Sequence, residues 1–325
     1  MRLLLPLLLV CVACATAAAE VAPITIAVIP KGTTHEFWKA VHAGAVKAGR
    51  ELTAAGTPVT IRWQGPVKED DRTSQVDLVN TIAAQGVAGI VLAPLDHKAL
   101  VKPVELAVKA KVPVVIIDSG LESEAQTSLV ATDNKAGGAM AAKHLAGLLN
   151  GQGKVLLLRY LVGSASTGLR EAGFLDALKE FPGITVVSQD QYAGATRATA
   201  LTASQTLLNR WGSGLDAVFT PNESSTAGMA QALKQLKLNR TVKHVGFDAS
   251  PVLIEGLQTG DIQGLIVQDP FNMGYLGVTT LAAHLAGKPV SKQTDTPAQL
   301  VTPANLNEPA IQALLSPPLK QFLGE

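Results

Sequence analysis

Cysteine is almost absent. The chain has two in 325 residues, Cys11 and Cys14, and both sit in its N-terminal segment. Without that segment no thiol remains, which excludes disulfides, thiolate metal centres and a cysteine nucleophile together. Net charge is nearly absent as well: 27 Lys and Arg stand against 26 Asp and Glu, a formal +1. That balance provides neither the basic footprint of a nucleic-acid binder nor a polybasic membrane patch. Aromatic residues are only 4% of the chain. No charge run or low-complexity stretch marks a disordered tail. The apolar run Leu3–Val12 falls short of the ~20 residues that cross a bilayer.

Motifs of catalysis are missing too. No G-x-G-x-x-G follows the first β-branched run, and "VGSASTG" lacks the Gly-Lys-Ser/Thr ending of a phosphate loop. No G-x-S-x-G elbow is present, since Ser164 stands two before Ser166. The six histidines are dispersed. Only His35 and His42 share a helical spacing, and no third ligand lies near them. These absences predict a protein that is not an enzyme and holds no metal and no cofactor.

What is present starts with "MRLLLPLLLVCVACATAAAE". Arg2, the apolar run and Ala17-Ala18-Ala19 have the order of a signal peptide over 1–19, which predicts export to the periplasm. Lipid attachment at Cys14 is the alternative, in the poor context Cys11-Val12-Ala13.

Beyond it, "ITIAVIP", "PVTIRWQ", "GIVLAP" and "PVVIIDS" read as buried strands separated by helical patterns. The pattern restarts at "GKVLLLRY" and continues through "ITVVSQD", "LDAVFTPN", "VKHVGFD" and "IQGLIVQD". Alternation of this kind predicts an α/β fold of two doubly wound parallel-sheet lobes. No Gly- or Pro-rich linker divides them. "SLVATDNKAGGAMAAKHLAG" runs from strand straight into helix, so the crossover is short.

Open parallel sheets bind ligands beyond the carboxyl ends of their strands. Those ends carry Lys31 and His35, Asp96, Asp118, Asn222 with Glu223, Asp248, and Gln268 with Asp269. Phe37 and Trp38 stand side by side just after the first of them. Hydrogen-bonding groups beside aromatic rings suit a polar, ring-shaped ligand such as a sugar.

Eight motifs in order, "IAVIPKGTTHEFW", "GIVLAPLD", "PVVIIDS", "ATDNKAGG", "LREAGF", "AVFTPNE", "VGFDAS" and "LIVQDP", carry a resemblance from Ile24 to about Pro303. The chain resembles periplasmic sugar-binding proteins of the ribose/galactose/allose type, the solute-capturing components of ABC importers. The resemblance implies two lobes joined by three crossovers, near 131–134, 268–270 and 296–302, with the ligand in the cleft. The first lobe is then 20–131 plus 270–296, and the second 132–269 plus 297–325. It implies a monomer that closes on a sugar or sugar derivative and delivers it to a permease in the inner membrane. The alternative partner is a membrane sensor kinase or chemoreceptor.

Residue by residue, the resemblance places Phe37 and Trp38 as rings stacked on the ligand, and His35 where the family usually has Asn. Lys31 occupies a contacting strand end, and Asp118 the acidic residue that takes two hydroxyls. In the second lobe it places Arg170 of R-x-x-G-F, Asn222, Asp248 of G-F-D with Phe247 as a stacking ring, and Gln268 beside the crossover. Ser119, Ala93 and Ala195 depart from the ribose-binding pattern, with Tyr192 near enough to replace the ring lost at Ala195. Those departures argue against ribose, and Lys31 with His35 would tolerate an acidic ligand.

Structural roles compete with these. Phe37 or Trp38 can be a core residue of the opening helix, although adjacent positions cannot both face the sheet. Asp118, Asn222 and Asp248 can be helix caps. Arg170, Lys31 and His35 can be solvated surface groups. A repressor shares the two-lobe fold but carries a DNA-binding N-terminus where this chain has the signal segment. An exported enzyme would have only His35 and Asp118 as a candidate pair.

Overall fold

The computed structural model describes residues 23–324, so the signal-peptide reading, Cys11 and Cys14 lie outside the described residues. Among the described residues no helix is long and apolar enough to cross a membrane. The first set of strands is β1 (Ile24–Ile29), β2 (Val59–Trp63), β3 (Gly89–Leu92), β4 (Val114–Ile117) and β5 (Ser128–Ala131). The second is β6 (Gln152–Leu157), β7 (Gly183–Ser188), β8 (Ala217–Phe219), β9 (Lys243–Phe247) and β10 (Gly264–Val267). Two short strands follow, β11 (Gln293–Asp295) and β12 (Gln299–Val301).

The helices of the first lobe are α1 (Glu36–Ala54), α2 (Arg72–Ala84) and α3 (Val101–Lys109). Those of the second are α4 (Asn134–Leu148), α5 (Ala165–Leu178), α6 (Arg197–Trp211), α7 (Glu223–Gln235) and α8 (Pro251–Thr259). The chain ends with α9 (Pro270–Leu285), α10 (Pro309–Leu315) and α11 (Leu319–Leu323).

The strands form two sheets of the same topology, β11-β5-β4-β3-β1-β2 and β12-β10-β9-β8-β6-β7. Neighbouring strands pair in parallel, apart from β12, which runs antiparallel to β10. β3 and β4 are apolar and buried at every position, as a strand covered by helices on both faces must be. Side-chain alternation divides β1 between two cores: Ile26 and Val28 enter one, Ala27 and Ile29 the other. β6 and the residue after it do the same, with Val155 and Leu157 against Leu156 and Leu158. Each lobe therefore has a hydrophobic core on both faces of its sheet.

The chain passes between lobes three times. β5 leads into α4, β10 into α9, and β11 into β12. Asp133 and Asp269 cap the helices that follow the first two passages, accepting from Ala136 N and Asn272 N. Thr132 Oγ1 donates to Thr296 O at 2.8 Å, and Asp133 N to Asp295 Oδ1 at 3.0 Å, which ties the first and third passages together.

The end of the chain departs from the expected division at 297. Ile311 of α10 packs in a second-lobe core with Leu253 and Leu257. α11 then lies back on the first lobe, where Arg50 donates to the carbonyls of Gln321 and Phe322 and Phe271 packs on Phe322. Residues 309–323 thus span both lobes.

Candidate functional site

The carboxyl ends of both sheets face each other across a polar cavity of about 30 Å³. Nine of the ten residues singled out from sequence line it: Lys31, His35, Phe37, Trp38, Asp118, Arg170, Asn222, Asp248 and Gln268. Glu69, Tyr160, Ser166, Thr167 and Glu223 complete the lining.

Phe247 is the exception, and its expected stacking role is corrected. Period-two alternation in β9 points Val245 and Phe247 together into the core. There the Phe247 ring lies under the guanidinium of Arg170, 3.9 Å from its centre. It supports a cavity residue without reaching the cavity. Tyr192 is likewise corrected: it stays exposed beside Arg159. The second-lobe ring in the cavity is the buried Tyr160.

The cations of the cavity are buried against carboxylates. Lys31 Nζ lies 2.6 Å from Asp118 Oδ2 and also donates to Ser166 Oγ at 3.1 Å. His35 Nδ1 lies 2.9 Å from Glu69 Oε1. Glu223 pairs with Arg197, an exposed residue outside the lining. Arg170 is fixed by its fork: Nε donates to Asn134 Oδ1 at 2.7 Å and Nη1 to Pro221 O at 2.9 Å, with Asp248 Oδ2 3.9 Å away. Lys31, His35 and Arg170 each have protein partners and are not the solvated surface groups that the competing reading allowed.

Glu69, Tyr160, Ser166, Thr167 and Glu223 were not among the site residues expected from sequence, and of these Glu69 has the most contacts with side chains of the site. It sits in the "PVKEDDR" loop among other charges, where nothing distinguishes it. In the fold it accepts from Trp38 Nε1 at 2.8 Å and from the Tyr160 hydroxyl at 2.7 Å, besides its contact with His35. Burial pushes its pKa up, but the His35 hydrogen bond and charge, with Lys31 and the Trp38 N–H, outweigh burial and hold it at about 2. Burial likewise opposes protonation of His35, yet the bond and charge of Glu69 raise its pKa above the ordinary 6.5. Burial raises Asp248, against the pull of Arg170 and Gln268.

Several of these contacts join the lobes. Tyr160 to Glu69, Lys31 to Ser166 and Ser166 N to Ser119 Oγ at 3.0 Å all cross the cleft. At its rim Arg72 donates to Val162 O and His97 N to Gly163 O. Asn222 is both cap and lining residue, its side chain accepting from Ser225 N in a capping box. Asp96, by contrast, caps Lys98 and Ala99 and pairs with Arg72, outside the cavity.

Among the described residues, four buried polar atoms of the lining lack a hydrogen-bond partner, and once Asp118 Oδ2 is set aside for its ion pair with Lys31 three remain with no protein partner: Arg170 Nη2, Gln268 Oε1 and Thr167 Oγ1. They are one donor, one acceptor and one group that is both. A hydroxyl-rich ligand matches that set, because each hydroxyl donates and accepts.

Residues 26–289 match the periplasmic binding protein domain. The ribose import binding protein of Bacillus subtilis is 30% identical over 72% of this chain and 75% of its own length. A carbohydrate transporter solute-binding protein from Agrobacterium radiobacter, solved with D-arabinose, is 38% identical, with a TM-score of 0.86 over 91% of this chain and 99% of that one. A solute-binding protein from Agrobacterium vitis, solved with D-fucose, is 34% identical, with a TM-score of 0.85 over 90% of this chain and 100% of that one. These relatives are sugar-binding transport proteins rather than enzymes. With two parallel-sheet lobes facing across a polar cleft, the chain belongs to the periplasmic binding protein family, among the sugar solute-binding proteins of ABC import systems.

Proposed function

We propose that this protein captures a neutral sugar or sugar-like polyol between its lobes in the periplasm and delivers it, as a monomer, to an ABC permease. The observation that carries the reading is the trio of unpartnered buried atoms, Arg170 Nη2, Gln268 Oε1 and Thr167 Oγ1, around one cavity. A buried polar group left unsatisfied costs ~1–3 kcal/mol, so a ligand that satisfies all three is favoured over water-poor closure alone.

The charge pattern supports a neutral ligand. In the lining Lys31, His35 and Arg170 face Asp118, Glu69, Asp248 and Glu223, three cations against four carboxylates when His35 is protonated, and Glu223 is paired from outside the lining by Arg197. A carboxylate or phosphate on the ligand would have to compete with a carboxylate already in place. Lys31 and His35, which by themselves would tolerate an acidic ligand, are each already paired with a carboxylate, and this supports the neutral reading.

The mechanism is hinge closure about the three passages. A space of about 30 Å³ is too small for a sugar ring, so the lobes must part to admit one. The ligand then takes over cross-lobe bonds such as Lys31 to Ser166 and favours closure by its greater affinity for that state.

A thermal-shift panel of neutral monosaccharides, polyols, sugar acids and nucleosides tests the reading. A ligand at 100 times its Kd adds ~2.7 kcal/mol of stability, a clear rise in Tm. A neutral sugar should stabilise the protein, and Thr167→Val with Gln268→Leu should abolish the shift. Stabilisation by sugar acids alone would overturn the neutral-ligand reading.

A further inference from the structure

Beside the polar cavity lies a second, larger space of about 450 Å³. The two share Phe37, Asp248 and Gln268, so they meet at one boundary. There Gln268 Nε2 donates to Asp248 Oδ1 at 2.7 Å. Past that boundary the chemistry changes. Ala40, Ile254, Val267, Leu314, Leu315 and Leu319 form an aliphatic wall. Among the described residues, Gln268 Oε1 is the one buried side-chain polar atom of its lining without a partner.

A space of ~150 Å³ lined by such residues holds a benzene ring. This one is three times as large and opens beside hydroxyl-binding groups. Its charged lining residues besides Asp248, Glu36 and Glu255, are both acidic, which disfavours an anionic occupant. Its outer wall is the segment Leu314–Leu319, which crosses from the second lobe to the first. The wall is thus built by the part of the chain that bridges the lobes.

We infer that the ligand is a sugar carrying an uncharged apolar substituent, such as a glycoside with a ring or alkyl aglycone. The sugar occupies the polar cavity and the substituent lies against Ile254, Leu314 and Leu315. The inference rests on the sugar-binding reading above and narrows its ligand class. The side space of about 450 Å³ gives the substituent room that the polar cavity of about 30 Å³, shared with the sugar, does not have.

Calorimetry on the intact protein separates the two readings. The monosaccharide that most raises Tm is titrated beside its α- and β-phenyl glycosides. One glycoside should bind at least about tenfold tighter than the parent, since burying a ring removes well over 100 Å² of apolar surface from water. Ile254→Asn and Leu314→Asn should each erase that gain while leaving the parent sugar's Kd within about twofold. Both side chains are only partly buried, so the variants should fold, which the unchanged parent affinity verifies. Parent binding with no gain from either glycoside overturns the inference and leaves the sugar reading intact. A gain that survives both variants also overturns it. Binding by neither parent nor glycoside sinks both readings.

Discussion

Asp118 and Asp248 are topological twins. Each ends the third strand from the β11 or β12 edge of its sheet, each donates its N–H to the next strand, to Val130 O or Ile266 O, and each has a left-handed backbone, with φ of 63° and 69°. Their electrostatics differ. Asp118 lies 2.6 Å from Lys31, while Asp248 lies 3.9 Å from Arg170, which has other partners.

Asp118→Asn and Asp248→Asn should therefore diverge. Asn tolerates the left-handed backbone, so only charge is removed. Asp118→Asn strands a buried ammonium and should cost ~3–5 kcal/mol. Asp248→Asn removes a carboxylate that burial already disfavours, and should cost ~1 kcal/mol or less. Urea denaturation of both variants measures this, and equal losses would refute the distinction.

Tyr160→Phe removes one cross-lobe hydrogen bond and leaves Glu69 with Trp38 and His35. A bond to a charged group contributes ~1.5–3 kcal/mol, so the closed arrangement should lose about that much relative to the open one. Small-angle scattering of the ligand-free variant should show a larger radius of gyration, with weaker sugar binding. Unchanged scattering and affinity would show that Tyr160 does not couple the lobes.

The His35–Glu69 pair predicts a pH window. His35 has a raised pKa, so its contribution is complete below 6.5 and is lost as pH rises through the raised value. Glu69 is lowered from 4.5 to about 2, so its contribution is complete above 4.5 and is lost as pH falls toward 2. The Tm difference between the protein and His35→Gln should be largest between 4.5 and 6.5 and should narrow on both sides. A difference independent of pH would mean that the pair is not ionised.

Gly138 brings α4 against α5, where a Cβ would stand 1.9 Å from the carbonyl oxygen of Arg170. Gly138→Ala should cost ~1–3 kcal/mol by pushing the helices apart. Because α5 carries Arg170, sugar affinity should fall as well. A stable variant with normal affinity would show that the helices yield without moving the guanidinium.

The lobes and most of the cavity lining were legible because both follow from local pattern. Buried strands are apolar runs, and residues just past them must lie at the carboxyl edge of a parallel sheet. That locates Lys31, Asp118, Asn222, Asp248 and Gln268 without any contact being known. Tyr160, at the end of "GKVLLLRY", was open to the same argument, and the alternation of Val245 with Phe247 already pointed that ring into the core.

Glu69 was not legible. It is one of four charges in "KEDD", and its burial arises only when its loop meets Trp38 and His35 of α1 and Tyr160 of the other lobe. The return of α11 to the first lobe was equally hidden, since five residues carry no usable periodicity. The amino-acid order alone determined which elements form and which side chains stand at their ends, because both depend on neighbours along the chain. Which charges lose their water, which cations meet carboxylates and where an apolar space opens beside the polar one were decided by tertiary structure, because desolvation and ion pairing depend on groups distant in sequence.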